Sequence, residues 1–146
     1  MGLEMFRKTL DNAEAGDNVG VLLKNVPNKE VYKGYVLSVP NFMKTASKFK
    51  AKIYVLTEKE GGRSKPFWSG YKPQFFFRVT NITGTIIVEK EVEQDKDMDT
   101  AMVMPGESLV VDIHLVENAV INSDLRFVMR EGKKTIGAGV IIQILE

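Results

Sequence analysis

The sequence has 146 residues, of which 44% are hydrophobic and 27% are charged, a composition typical of a globular chain. Lysine and arginine number 20 against 19 aspartates and glutamates, so the net charge of +1 creates no global field for nucleic acid or an anionic membrane. The absence of cysteine and the single histidine, His114, exclude disulfides, thiolate nucleophiles and the common cysteine or paired-histidine metal sites. No stretch approaches the roughly 20 apolar residues of a membrane helix, so we expect no membrane partner.

The first forty residues predict short elements only. Residues 18–23 have the composition of a strand, and residues 6–10 and 27–32 are the two candidates for helical turns. Pro27 suits the first turn of the second candidate, which Asn25 or Asn28 could cap.

A domain boundary is predicted at the polar link 38–41, which gives domains 1–40 and 41–146. Forty residues are too few for a stable domain of their own, because chains of that size usually need staples or partners. The first segment is therefore expected to be an arm or the remnant of a larger domain.

Residues 48–55 give the clearest signal of secondary structure. Apolar side chains alternate with polar ones at a period of two, which predicts a half-buried strand. The predicted inner residues are Phe49, Ala51, Ile53 and Val55, and the outer ones are Lys48, Lys50, Lys52 and Tyr54.

Further strands are predicted downstream at intervals marked by glycine, proline and polar residues. They cover 73–81, 83–88, 108–116, 125–130 and 135–145, with residues 89–100 as a solvated hairpin loop. Because no helical periodicity is sustained, the fold class is all-β, and residues 45–146 are expected to form a closed antiparallel barrel of about six strands.

Motifs for catalysis are absent from the sequence. It has no G-x-x-x-x-G-K-[ST] phosphate loop, no dinucleotide-binding glycine pattern, no H-E-x-x-H and no G-x-S-x-G. His114 has no evident Ser or Asp partner, so a surface histidine is favoured over a catalytic one. We therefore predict no catalytic residue, no metal and no cofactor site.

Basic and aromatic residues interleave around turn glycines in two segments, 61–68 and 71–78. Arginine and lysine on a β-surface can hold phosphates, while glutamine and threonine reach sugar hydroxyls, which together would suit an RNA backbone. The alternative is that the aromatic side chains form the core and the basic ones only solvate an edge strand.

Ordered blocks along the whole chain resemble the C-terminal part of the elongation factor Tu family of translational GTPases. The blocks are residues 2–8, 15–23, 60–63, 71–75, 102–106, 126–127, 130–132 and 135–140. The resemblance implies that residues 1–40 are the second half of a second β-barrel and that residues 41–146 are the whole third barrel. GTP and magnesium would belong to a nucleotide-binding domain missing here, so the chain alone should neither bind nor hydrolyse GTP.

The resemblance also implies contacts to the acceptor end of aminoacyl-tRNA. Glu4 and Arg7 fall where the family meets the terminal adenosine, and Phe6 and Asn18 fall where it lines the aminoacyl pocket. Lys33 falls where a basic residue meets the 5′ phosphate of the tRNA.

Six positions of the third barrel match those that grip the T-stem backbone in the family. They are Arg63, Gln74, Thr83, Arg130, Glu131 and Gly132. The sequence departs from the family at Ser64, where histidine is usual, at Glu117 and Asn118, where a basic residue and proline are common, and at Lys133 and Lys134.

Partners implied by the resemblance are aminoacyl-tRNA, the ribosome, elongation factor Ts and the nucleotide-binding domain, with Gly61, Gln74 and Val128 near the seam to that domain. Unpaired edges of the partial barrel could also pair with a second copy and give a crystal dimer. An acidic insertion at 91–99 favours an organelle as the compartment of the protein, either a mitochondrion or a plastid or apicoplast. A bacterial cytoplasm is the alternative. The competing hypothesis is a freestanding β-barrel that makes only protein contacts.

Overall fold

The computed structural model describes residues 2–89 and 101–146, so most of the loop expected at 89–100 lies outside the described residues. Within these two ranges no helix has the length and apolarity to cross a bilayer. The described strands are β1 (Gly2–Met5), β2 (Lys8–Leu10), β3 (Gly20–Leu22), β4 (Thr45–Val55), β5 (Phe67–Trp68), β6 (Gln74–Phe77), β7 (Thr80–Ile87), β8 (Met102–Val103), β9 (Ser108–Val120), β10 (Arg126–Glu131) and β11 (Lys134–Ile144). Two 3₁₀ helices span Asn28–Glu30 and Glu58–Glu60.

The chain divides into two compact units, Met1–Tyr32 and Lys33–Glu146. The first unit holds a three-stranded antiparallel sheet in the order β2-β1-β3, and none of its described side chains is buried. The domain limits 1–40 and 41–146 stay a prediction.

The helical turn expected at 6–10 is wrong. Phe6 and Arg7 have φ values of 51° and 65° and form the two-residue turn of the β1–β2 hairpin. A pair of positive φ angles matches the twist of hairpin strands, although asparagine and glycine adopt it far more readily than these residues. The second expected turn is confirmed as the 3₁₀ helix Asn28–Glu30, but its cap is Pro27, with no side-chain hydrogen bond.

The second unit contains the closed antiparallel barrel, in the order β10-β11-β4-β9-β7-β6. This confirms the all-β class and the six-stranded barrel. The alternation predicted for 48–55 is also confirmed, since Phe49, Ala51, Ile53 and Val55 are at most 1% exposed while Lys52 is exposed.

The barrel interior is filled by aromatic side chains. Phe49, Phe75, Phe77 and Phe127 pack with ring centroids between 5.5 and 6.4 Å apart. Since these rings occupy the interior, the functional surfaces of the barrel lie on its outside and in its loops.

The single strand expected at 73–81 is wrong, because a turn at Arg78 and Val79 separates β6 from β7. Arg78 has a φ of 52°, and its guanidinium donates hydrogen bonds to the Val120 carbonyl and the Asn122 side chain. These hydrogen bonds to a distant segment stabilise the turn. Because the turn contains no glycine or proline, nothing in the sequence signalled it.

Candidate nucleic-acid interface

Three of the predicted T-stem residues form a row across the outside of the barrel. Gln74 on β6 lies opposite Thr83 on β7 and opposite Arg130 on β10. Directly opposed residues of antiparallel strands have their Cβ atoms about 5 Å apart, so the three side chains share one patch. Val128, predicted for the interdomain seam, lies one outward position further along β10, opposite Phe76.

Arg130 is held in place by an aromatic ring. Its guanidinium carbon lies 5.2 Å from the centroid of the Phe76 ring, and one terminal nitrogen donates to the Lys133 carbonyl at 2.9 Å. The Nε atom is buried and has no hydrogen-bond partner among the described residues. Gly132, also a predicted T-stem residue, has a φ of 59° in the turn between β10 and β11. These contacts leave Arg130 with an unused donor.

Arg63 follows Gly61, which ends the 3₁₀ helix with a φ of 87°. Its guanidinium lies 4.8 Å from the centroid of the Tyr71 ring, and its Nη1 atom donates to the Tyr71 hydroxyl at 3.0 Å. The same nitrogen forms an ion pair with Glu131, so the structure brings two predicted T-stem residues into direct contact. The remaining nitrogens bond to the carbonyls of Lys65 and Pro66.

Tyr71 anchors this arrangement from the barrel side. Its ring stacks on Phe67 with centroids 4.8 Å apart. Burial raises the pKa of the Tyr71 phenol to about 12, although the positive charge of Arg63 acts in the opposite direction. The hydroxyl therefore stays neutral at physiological pH and accepts the hydrogen bond from Arg63 as an uncharged partner.

A shallow pocket of about 270 Å³ opens beside Arg63. It is lined by Arg63, Ser64, Lys65, Glu131 and Lys134. We call this the loop pocket, because its walls come from the segment after Gly61 and from the β10–β11 turn. Its lining is rich in basic groups, so it is a place where an anion could approach the barrel.

The predicted acceptor-end residues of the first unit are all exposed. Glu4 lies on β1 opposite Thr9 and Gly20, and Asn18 precedes β3. Phe6 and Arg7 occupy the hairpin turn, where Phe6 is 89% exposed. The sheet thus brings Glu4, Phe6 and Arg7 onto one hairpin.

Lys33 belongs to the second unit, beside a groove of about 450 Å³ at the β6–β7 turn that Arg78 and Glu117 also line. The neighbouring Gly34 packs so tightly on Thr80 that a Cβ atom there would overlap the threonine hydroxyl. Lys33 therefore belongs to the barrel unit, whereas the other acceptor-end candidates belong to the first unit.

The sequence left open whether the aromatic residues of segments 61–68 and 71–78 form the core or support a basic surface, and the structure shows both roles. Phe67, Phe75 and Phe77 belong to the core, while Phe76 and Tyr71 support Arg130 and Arg63 from the half-buried layer. Sequence reasoning missed these two pairings. Strand alternation was the available signal, because it places Phe76 on the outer face between two inner phenylalanines.

The described residues contain no group of histidine, aspartate and glutamate side chains that could hold a metal ion. The hydrophobic core fills the interior, so the second unit is a closed β-barrel domain. A family model described as the elongation factor Tu C-terminal domain matches residues 42–145. The chain belongs to this family and is part of a translation elongation factor. The matched domain is the C-terminal one and not the domain that binds GTP.

Proposed function

We propose that the outer row of Gln74, Thr83 and Arg130 binds the T-stem backbone of aminoacyl-tRNA, on a surface to which Arg63, Glu131 and Gly132 also belong. The observation that carries the proposal is the row itself, in which an amide, a hydroxyl and a guanidinium stand side by side on three strands. These groups match the phosphates and 2′-hydroxyls by which double-stranded RNA is recognised.

Unused hydrogen-bonding capacity supports this assignment. In the described part of the chain, the side chains of Gln74 and Thr83 form no hydrogen bond with protein, and only one terminal nitrogen of Arg130 is engaged, by the Lys133 carbonyl. The Gln74 amide is exposed and both donates and accepts, so it can meet a 2′-hydroxyl in either sense.

The hairpin of the first unit has a role in the same proposal. Glu4, Phe6 and Arg7, with Asn18, would contact the acceptor end and the aminoacyl group, and Lys33 would contact the 5′ phosphate. A carboxylate can accept from an adenosine hydroxyl, and an arginine can pair with a phosphate. The family also suggests the ribosome as a partner in general, and we propose the seam at Gly61, Gln74 and Val128 for the nucleotide-binding domain and elongation factor Ts.

The test is a titration of labelled aminoacyl-tRNA with the full chain at low and moderate salt. We expect saturable binding that Gln74→Ala weakens about fivefold, which corresponds to one net hydrogen bond of about 1 kcal/mol. The Gln74 side chain is exposed, so its removal should not unfold the barrel.

Lys52→Ala is the matched control for a surface substitution, because Lys52 is exposed on β4, three strands from β6 in either direction around the barrel. It should bind like the unmodified chain, and a duplex DNA of similar length should bind more weakly. Binding no stronger than that of the DNA would contradict the proposal and favour the protein-interaction alternative.

A further inference from the structure

The contacts of Arg63 argue against a direct role in gripping RNA. A guanidinium has five N–H donors, and four of those of Arg63 are already used by Tyr71, Glu131 and the carbonyls of Lys65 and Pro66. Its side chain is only 17% exposed. A phosphate would have to displace these bonds to reach it, so the geometry makes Arg63 a support for the loop that follows it.

Two lysines of the loop pocket are differently placed. Lys65 and Lys134 are exposed, and neither forms an ion pair with any described residue. The one carboxylate of the pocket, Glu131, is paired with Arg63 and so leaves the field of the lysines largely uncompensated. An ammonium group is a compact point charge that serves well against a phosphate.

We infer that Lys65 and Lys134 bind a backbone phosphate of the RNA in the loop pocket, and that Arg63 is a positioning residue acting through Lys65. This inference rests on the proposed tRNA function of the outer row. The direct link is the Arg63 Nε bond to the carbonyl of Lys65, which fixes the backbone from which that lysine extends. The Arg63–Glu131 ion pair joins the same loop to the turn that precedes Lys134.

The salt dependence of tRNA binding measures how many phosphates the lysines neutralise. Lys65→Ala and Lys134→Ala should each make the plot of log K against log salt less steep, and the double variant should reduce its steepness by about one unit, the contribution of one phosphate. Lys133→Ala is the matched control, since Lys133 is an exposed neighbour of Lys134 that does not line the pocket. It should leave the slope unchanged.

A double-mutant cycle tests the positioning role of Arg63. Arg63→Lys keeps the charge but loses the forked hydrogen bonds and part of the stacking on Tyr71. As a single substitution it should therefore lower tRNA affinity severalfold. In the Lys65→Ala background the same change should have little further effect on affinity. Additive losses, or unchanged affinity in Arg63→Lys, would overturn the positioning role, and thermal melts of each variant separate these effects from unfolding.

The outcomes separate the two proposals. If the full chain binds tRNA no better than DNA, the proposed function fails. If it binds tRNA selectively but the lysine variants keep the full salt slope, or Lys133→Ala lowers the slope as much as Lys134→Ala, the loop pocket is not the phosphate site and the function of the outer row stands.

Discussion

Gly139 shows how closely the barrel is packed at the level of one residue. It lies on β11 between Phe127 on β10 and Ile53 on β4. A Cβ atom at this position would lie 2.5 Å from the Phe127 ring and 2.8 Å from the Lys52 carbonyl oxygen. Since one of these atoms belongs to the backbone, the neighbours could not simply rotate away.

Gly139→Ala should therefore lower the free energy of unfolding by about 1–3 kcal/mol, the usual cost of overpacking a core. The measurement is urea unfolding followed by circular dichroism. Ala138→Val is the control, because Ala138 is exposed on the same strand and a β-branched residue suits it. A Gly139→Ala chain as stable as the control would contradict the packing argument.

At this scale the sequence did not predict the turns at Phe6, Arg7 and Arg78. These residues adopt positive φ angles that their side chains disfavour, so local propensity points away from the observed structure. The Arg63–Glu131 ion pair was equally hidden, because its partners are 68 residues apart and meet only when the barrel closes.

Among the elements, the 3₁₀ helix Glu58–Glu60 is stabilised mainly by its own last side chain. The Glu60 carboxylate accepts hydrogen bonds from the Thr57 backbone N–H at 2.8 Å and from the hydroxyls of Thr57 and Tyr54. The Thr57 amide first, and then the Tyr54 and Thr57 hydroxyls, hold the pKa of Glu60 below its usual value. This helix leads directly into the loop that carries Arg63.

The lowered pKa predicts a pH-dependent contribution to stability. A carboxyl that ionises more readily in the folded chain stabilises it above the ordinary pKa near 4.5, and that contribution disappears as the pH falls through the folded pKa. Glu60→Gln should therefore melt below the unmodified chain at pH 7, and the difference should shrink below about pH 4.

Thermal melts across this range give the comparison, with the exposed neighbour Glu58→Gln as control. A difference between Glu60→Gln and the unmodified chain that is the same at pH 7 and pH 3 would mean that the charge of Glu60 is not what stabilises the helix.

Element by element, strong alternation was a reliable guide and short strands were not. β4 was predicted because its outer lysines and inner apolar residues alternate without a break. β5 and β8 have two residues each, which is too short for a periodic signal, and they form only because they pair with each other. The order of the strands in the barrel depends mostly on such pairings between distant segments, so it could not be predicted from local sequence.

In the molecule as a whole, burial differs sharply between the two units. The described side chains of the first unit are all at least partly exposed, whereas the barrel encloses a core that includes Phe49, Ile86, Ile113, Met129 and Ile141 at 0% exposure. Stability follows buried apolar surface, so the barrel should contribute nearly all of the free energy of unfolding. The likeness of residues 1–40 to a second barrel and the organelle compartment stay predictions.

A chain beginning at Lys33 should therefore keep the strand content of the barrel and melt within about 5 °C of the full chain, a shift equivalent to about 1 kcal/mol. Circular dichroism and thermal melting are the measurements. In limited proteolysis of the full chain, cleavage before residue 33 should precede any cut within the barrel strands. Loss of cooperative melting in the shortened chain would show that the barrel depends on the first unit.

The position of β11 between β10 and β4 has a consequence for synthesis on the ribosome. The strand made last in the barrel pairs with the strand made first, and the Glu146 carbonyl accepts from the backbone amides of Ser47 and Lys48 at 2.8 Å. Until residues 134–146 have left the exit tunnel, β4 and β10 keep open edges that can pair with other chains. Closure therefore waits for β11, and the edges of β4 and β10 need shielding until that strand has been made.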